Sequence, residues 1–484
     1  MKNPGFNFQN TYTELPKCFF TETKAVSVKD PELVVLNEDL SRDIDLDFQL
    51  LTKKETASLL SGNSVLSNMN PFAQAYAGHQ FGYFTNLGDG RALMLGEHIT
   101  KSGKRYDIQF KGSGPTSYSR QGDGKAVLGP MLREYIISEA MHSLKIPTTR
   151  SLAVVKTGEK ILRETFLPGA ILTRLASSHI RVGTFQYAVA RQEKNILRQL
   201  FDYTIERHYP QISNSKEKAL ELLNILLKKQ IELVTNWMRV GFIHGVMNTD
   251  NTTLSGETID YGPCAFMDNF NMSTVFSSID MQGRYSYGNQ PVITQWNLAR
   301  FSETLLPLIA KNPADGIKAV EDIIKNFPKI YKNSWLEMMK NKLGISGERN
   351  EDEKLINELL KIMEKKSVDF TNTFSDLTYE KLSKGSFYQT EEFKIWYKRY
   401  RKRLENGLLL KKDTFNLMRA NNPYVIPRNH NVEHVIKESL KNNYSPLFEI
   451  LSVLKNPYKK EKVSEKFILP ADSSNRVNQT YCGT

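Results

Sequence analysis

The hydrophobic period of the chain changes once, near residue 177, and this limits the architecture more than any other feature. From about 65 to 175, glycine-rich turns separate short runs of strand character: Ala92 to Leu95, Tyr106 to Phe110, Ser151 to Lys156 and Ala170 to Leu175. The turn Thr157-Gly158-Glu159 reads as the tip of a hairpin. One helix interrupts this region, from about Pro130 to Leu144, with Gly129 as its N-cap. Past 177, apolar residues recur at three- and four-residue spacing over Phe185 to Tyr209 and Lys216 to Val240. A stretch dense in Asn, Asp, Gly and Thr follows, Gly241 to Gly288, and beyond Pro291 the chain is again helical and lysine-rich. The pattern predicts an α+β protein in three parts: an extension over 1–60 packing on the core, a strand-rich part over 61–176, and a helical part over 177–484. The loops of 241–288 are the natural place for chemistry, because loops held on a rigid scaffold carry most catalytic residues.

Composition narrows the class. With 40% hydrophobic and 24% charged residues in 484, the chain is neither disordered, collagen-like nor a small disulfide scaffold. A net charge of +12 favours anionic partners without choosing among nucleotides, nucleic acid, acidic proteins or lipid surfaces. Cys18, Cys264 and Cys482 form no CxxC pair and are too few for a disulfide framework or a cysteine-rich zinc site, so a reducing, cytoplasmic setting is expected. Met1 to Phe20 has no signal-peptide pattern. The most apolar helical stretch, Ala219 to Trp237, is broken by Glu221, Lys228, Lys229 and Glu232, so no membrane span is expected. A monomer is the expected state.

Several groups could handle phosphate. In Leu87-Gly88-Asp89-Gly90-Arg91, Gly88 and Gly90 permit close backbone approach and Arg91 adds a fixed positive charge; taken alone it is equally a hairpin turn. Lys111 ends an apolar strand and meets Gly112-Ser113-Gly114, where it could hold a phosphate or simply reach solvent. Glu134 stands 23 residues later on the helix, sharing a face with Ile137 and Met141. That spacing permits a Lys–Glu ion pair of the kind that orients the phosphate-binding lysine of kinases, although Glu134 could also sit at the surface. Asp123 and Gly124, in Gly122-Asp123-Gly124-Lys125, form an acidic glycine turn. Arg174 and Arg181 fall where the strand pattern ends and could grip a polyphosphate.

The most informative stretch is Phe242 to Asn251, followed by Ile259-Asp260-Tyr261-Gly262-Pro263. Kinases carry His-Arg-Asp, four residues, Asn, then Asp-Phe-Gly. Here His244 takes the place of the His, Asn251 stands seven positions later, and Asp260-Tyr261-Gly262 replaces Asp-Phe-Gly. Asn251 and Asp260 offer the hard oxygens that Mg²⁺ prefers. The departure is at the kinase base position, which is Val246; the nearest carboxylate is Asp250. Either the protein is inactive or Asp250 does the work in a different geometry.

These groups, in this order, resemble the selenoprotein O family of protein adenylyltransferases, a pseudokinase family. The resemblance runs from Pro71-Phe72-Ala73-Gln74-Ala75-Tyr76-Ala77-Gly78-His79-Gln80-Phe81-Gly82 to the C-terminal Tyr481-Cys482-Gly483-Thr484, and includes Ser177 to Phe185 and Met247 to Asn251. It implies a protein-kinase-like bilobal fold, a strand-rich N-lobe with one key helix and a larger helical C-lobe. It implies ATP bound turned around, with AMP rather than the γ-phosphate passing to Ser, Thr or Tyr hydroxyls of proteins. Carried over by position, Gly88, Gly90, Arg91, Lys111, Asp123, Gly124, Arg174 and Arg181 would bind the nucleotide, and Glu134 would pair with Lys111. Asp250 would accept the proton; Asn251 and Asp260 would bind Mg²⁺ or Mn²⁺, with Asp260 also beside the ATP. Some members carry selenocysteine where Cys482 stands, and a regulatory disulfide can reach it from just past the Asp-Tyr-Gly-Pro segment. No cysteine occurs in Asn271 to Asp280, where that partner is expected; Cys264 is near.

Three rivals follow from the same residues: a phosphotransferase, a silent ATP-binding pseudoenzyme, and a nucleic-acid binder. The last draws on Lys394, Lys398, Arg399, Arg401, Lys402 and Arg403 interleaved with Trp396, Tyr397 and Tyr400, which fit better as a helix with one solvated basic side.

Overall fold

The computed structural model describes residues 2–382, 386–460 and 463–481; Cys482 falls outside them. The fold is α+β with antiparallel sheets. Strands β1 (Phe8–Gln9), β2 (Phe20–Glu22), β3 (Glu32–Leu36) and β4 (Phe72–Gln74) precede a small hairpin, β5 (Ala77–Gln80) and β6 (Tyr83–Asn86). The long strands follow: β7 (Ala92–Ile99), β8 (Arg105–Lys111), β9 (Arg150–Leu162) and β10 (Phe166–Ala176). The main sheet runs β2-β4-β7-β8-β10-β9-β3, with β1 paired to β7. Three of its strands come from the first 60 residues, so that segment is woven into the sheet.

Strand alternation divides β8 cleanly. Ile108 and Phe110 face one way, into an apolar cluster with Phe6, Leu40, Phe48 and Leu60. Gln109 and Lys111 face the other way and are buried polar residues. Across the ladder Gln109 opposes Arg174, so Arg174 joins Gln109 and Lys111 on that polar face.

Three predicted boundaries shift. Thr157-Gly158-Glu159 is not a hairpin tip: β9 runs through it and the turn falls at Arg163–Thr165, closed by Arg163 N–H to the Thr165 carbonyl at 3.0 Å. The register breaks between Pro168 and Ala170, and Gly158 takes a φ of +73° against Asp30, so the glycine forms a bulge. The predicted helix Phe185 to Tyr209 is two, Val182–Ala190 and Lys194–His208, separated at Gln192 (φ +60°). The first strand-region helix spans Leu128–Ser143 with Val127 as its N-cap, so Gly129 and Pro130 lie inside its first turn, which tolerates proline.

That helix is buried nearly all round. Its apolar residues share one core with Val432, Val435, Leu447, Ile450 and Leu454 of the C-terminal helices Asn429–Ser439 and Ser445–Leu454. The central helix Lys218–Val240 ends on Gly241 at φ +71°, a left-handed cap, and leads into β11 (Phe242–Ile243), paired with β12 (Ala265–Phe266). This two-stranded clamp fixes both ends of the segment carrying Asp250, Asn251 and Asp260. The helix Glu391–Glu405 buries Phe393, Trp396, Tyr400 and Arg403 and turns Lys394, Lys398, Arg399 and Lys402 to solvent. Arg403 departs from the expected basic face because Asp352 holds it at 2.6 Å. Among the described residues no helix is long and apolar enough to cross a membrane.

Candidate active site

Where the sheet meets the loop after β11, a cavity of about 880 Å³ opens. Gly88, Gly90, Arg91, Lys111, Asp123, Gly124, Arg174, Arg181, Asp250, Asn251 and Asp260 all line it. Seven cationic side chains against four carboxylates make the lining suited to a polyanion.

At its base is a buried ion cluster. Lys111 Nζ donates to Glu134 Oε2 at 2.5 Å and to Asp260 Oδ1 at 2.7 Å. Arg174 bridges the same two acids, with Nη1 donating to Glu134 Oε1 at 3.1 Å and Asp260 Oδ1 at 2.6 Å, while its Nε and Nη2 reach Gln109. Two cations and two carboxylates thus balance, which is what burial demands of charged groups. Burial alone would raise the Asp260 pKa, but Arg174, Lys111 and Arg181 together hold it well below the carboxylate range. Asp260 is therefore ionised throughout the working pH range. Its backbone sits at φ +62°, a left-handed conformation uncommon outside glycine that aspartate tolerates better than most residues. His244 stays outside the cavity lining: its Nε2 contacts the Ile259 carbonyl at 2.9 Å, so it positions the residue before Asp260.

Asp250 stands apart from that cluster. It is buried, and its Oδ1 has no hydrogen-bond partner. Burial raises its pKa to about 6, against the opposing pull of Arg181. A buried carboxylate on the cavity wall with a pKa raised to about 6 is equipped to accept a proton. Arg181 packs over the Tyr76 ring at 4.3 Å; its nearest carboxylate oxygen, on Asp89, is 3.9 Å away, and its Nε has no partner. Among the described residues it has no ion pair closer than that, and it faces the same space.

Residues 4–455 match the family described as Protein adenylyltransferase SelO. The chain belongs to that family. It is 53% identical over 481 residues to the Protein nucleotidyltransferase YdiU of Nitrosococcus oceani, covering 99% of this chain and 98% of that protein. It is 52% identical to the YdiU of Bacillus cereus strain G9842 and 53% to that of Bacillus mycoides, each over 481 residues and 99% of both chains.

For this SelO-family chain, the structure also picks out residues that sequence reasoning passed over. Asp89, read only as a turn residue, is buried in the cavity wall; its Oδ2 accepts from Gln74 N–H at 3.1 Å and Gln109 Nε2 at 3.3 Å, and burial raises its pKa to about 6. Gly78 brings the β5–β6 hairpin against Asp250: a Cβ there would stand 2.4 Å from Asp250 Oδ1. The hairpin is tied to the loop by His79 N–H to Thr249 Oγ1 at 2.7 Å and Phe81 N–H to Asn248 Oδ1 at 3.1 Å. The only available signal was the glycine in Tyr76-Ala77-Gly78-His79, which has no turn-forming neighbours. Asp123 lines the cavity with its carboxylate held by Arg163 at 2.9 and 3.1 Å, and that hydrogen bonding, more than charge, lowers its pKa.

Asn251 and Asp260, the expected metal ligands, can be checked for free donor atoms. Asn251 Nδ2 donates to the Val246 carbonyl at 3.0 Å, which commits the amide nitrogen and leaves Oδ1 to serve a ligand. Asp260 uses Oδ1 for both Lys111 and Arg174, leaving Oδ2. Among the described residues no group of three or more His, Cys, Asp or Glu could hold an ion unaided. Two hard oxygens in a cavity sized for a polyphosphate fit a divalent ion whose remaining ligands are phosphate and water.

Proposed function

We propose that the cavity binds ATP in a kinase-like cleft between the sheet and the helical part, and that Asp250 accepts the proton of a Ser, Thr or Tyr hydroxyl as AMP is transferred to it. The protein is a nucleotidyltransferase of the protein adenylyltransferase class; the roles of individual residues are our reading. The kinase-like layout is supported by the Lys111–Glu134 pair and by the order His244, Asn251, Asp260.

The chemistry follows from where the charges stand. Lys111 and Arg174, fixed by Glu134 and Asp260, present positive charge at the cavity base without needing to reorganise. Arg181, unspent on any close ion pair, is free to hold phosphate oxygens. Gly88, Gly90, Arg91 and Gly124 would receive the rest of the nucleotide. The acceptor oxygen forms a bond to the α-phosphorus as the bond from that phosphorus to the β-phosphate oxygen breaks. The proton goes to Asp250, pyrophosphate carries away the released charge, and a phosphodiester-linked AMP remains on the acceptor. A Mg²⁺ or Mn²⁺ ion held by Asn251 and Asp260 would neutralise phosphate charge when bound. The enzyme is proposed to act as a monomer in the cytoplasm.

The observation that carries this reading is Asp250, a buried carboxylate lining the same cavity as Lys111 and Asp260, with Val246 where a kinase would have its base. Incubation with α-labelled and γ-labelled ATP tests it. Protein-bound α-label with free pyrophosphate is expected; bound γ-label would make the enzyme a phosphotransferase, and neither label bound would make it a nucleotide-binding pseudoenzyme.

A further inference from the structure

A second recess, of about 600 Å³, opens in the helical part. Phe327, Tyr331, Trp335 and Met339, at every fourth position of the Phe327–Leu343 helix, line one wall. Across from them stand Met272, from the loop after β12, and Val292, in the first turn of the Gln290–Ile309 helix. Met272 is 42% exposed and Val292 59% exposed, so the groove leaves apolar surface in water.

One continuous segment joins this groove to the catalytic cavity. Ile279 lines the cavity and Met272 lines the groove. Tyr285 donates to Asn248 Oδ1 at 2.6 Å, and Asn248 lines the cavity. Tyr287, two residues on, lines the groove, where its hydroxyl is anchored on the Met238 carbonyl at 2.7 Å. The loop is tied to the far wall as well, by Met272 N–H to Glu364 Oε1 at 3.0 Å. Between the two sites Met281 is 88% exposed.

We propose that the groove receives an apolar side chain of the acceptor protein, from the extended segment that carries the modified hydroxyl. The inference rests on the adenylyltransferase reading, since that reaction requires a protein chain to lie across this mouth. Tyr287 at the groove lies two positions past Tyr285, whose hydroxyl holds the cavity-lining Asn248, so one short loop joins the two sites and an acceptor chain extended at about 3.3 Å per residue crosses from one to the other in a few residues. Lys361 and Glu364 place one charge of each sign on the lining, which favours an uncharged residue. Met238, Met272 and Met339 give it a polarizable surface that adapts to aliphatic and aromatic side chains alike. An apolar anchor set in a pocket beside the reacting group supplies affinity without touching the chemistry.

The test uses the full-length enzyme, α-labelled ATP, and synthetic peptides with one central Ser, Thr or Tyr and one Leu, Met or Phe walked through the flanking positions, against peptides flanked by Ala alone. We expect at least tenfold higher kcat/KM, mainly through KM, when the apolar residue falls at one preferred flanking position than when it falls at the others. Met272→Asp and Val292→Asp, substitutions at exposed positions, should abolish that preference while leaving ATP affinity and transfer to the Ala-flanked peptides unchanged. Transfer with no positional preference, or a preference that survives both variants, overturns the groove assignment alone. Absence of transfer to any peptide by the unmodified enzyme overturns the reading of the site and the groove with it. A concentration-dependent dimer that Met272→Asp dissolves would assign the groove to a second copy of the chain and overturn the proposal.

Discussion

Asp250 shows how a single buried carboxylate trades stability for chemistry. Its pKa is raised to about 6, above the roughly 3.9 of an unfolded aspartate. The folded state therefore binds this proton more tightly than the unfolded state. The resulting stability is fully present below about pH 4 and is lost as pH rises through about 6. Asp250→Asn should accordingly be more heat-stable than the parent at pH 8, by up to about 3 kcal/mol, while AMP transfer falls about 10²–10⁴-fold. Calorimetry and label transfer on the same preparation check both halves. The pH profile of kcat/KM should rise through about pH 6 and lose that limb in Asp250→Asn. Glu134 is the opposite case. Its two oxygens receive Lys111 and Arg174, so Glu134→Gln leaves two buried cations sharing Asp260. A loss of about 3 kcal/mol and at least tenfold weaker ATP binding are expected, read by thermal unfolding and titration calorimetry.

At the scale of elements, the β5–β6 hairpin acts as a rest for the catalytic loop. Its strands are short and Tyr83 and Phe84 are exposed, so its inward bonds to Thr249 and Asn248 hold it in place. Gly78 lets it approach. In Gly78→Ala the new methyl would displace the Asp250 carboxylate, and a shift of about 1 Å in a reacting group costs up to about 100-fold in rate. AMP transfer should drop about 10–100-fold with ATP affinity preserved, because Lys111, Arg174 and Arg181 lie outside the clash. Equal losses in both measurements would mean that the hairpin supports the nucleotide site instead.

Across the whole molecule, the Leu128–Ser143 helix is pinned from behind. Its core continues into Val432, Leu447 and Leu454, and Arg133 is paired with Glu433, so Glu134 cannot swing away from Lys111 without opening the C-terminal helices. The Lys111–Glu134 pair is thus a permanent part of the fold rather than a switch. Amides of this helix should exchange slowly with or without ATP. Leu447→Ala, in a fully buried position, should cost about 2–5 kcal/mol and weaken ATP binding as well, although Leu447 is remote from the cavity. Calorimetry should show sheet and C-terminal helices unfolding in one transition.

The order of the chemical groups was legible in the chain because each needs a particular residue type at a short, fixed spacing. Lys111 at a strand end, Glu134 on the next helix, and Asn251 and Asp260 around one turn are local patterns, and they converge as expected on one cavity or its base. The strand before Lys111 reads as apolar, and its buried polar face, Gln109 with Lys111, became visible only in the fold. What local pattern could not decide depended on partners distant in sequence. Gly158 reads as a turn until Asp30 is packed against it, and the helical period from Phe185 to Tyr209 continues unbroken although the chain turns at Gln192. Asp89 looked like a turn residue and Gly78 like a spacer until burial and close approach gave them their places. Asp123 reads as a nucleotide-binding position, and only the fold shows that Arg163, 40 residues away, also engages its carboxylate. Residue type and spacing determined which chemistry the chain could attempt; desolvation and long-range contact, which exist only once the chain is folded, decided which carboxylate is charged, which is poised, and which is already spoken for.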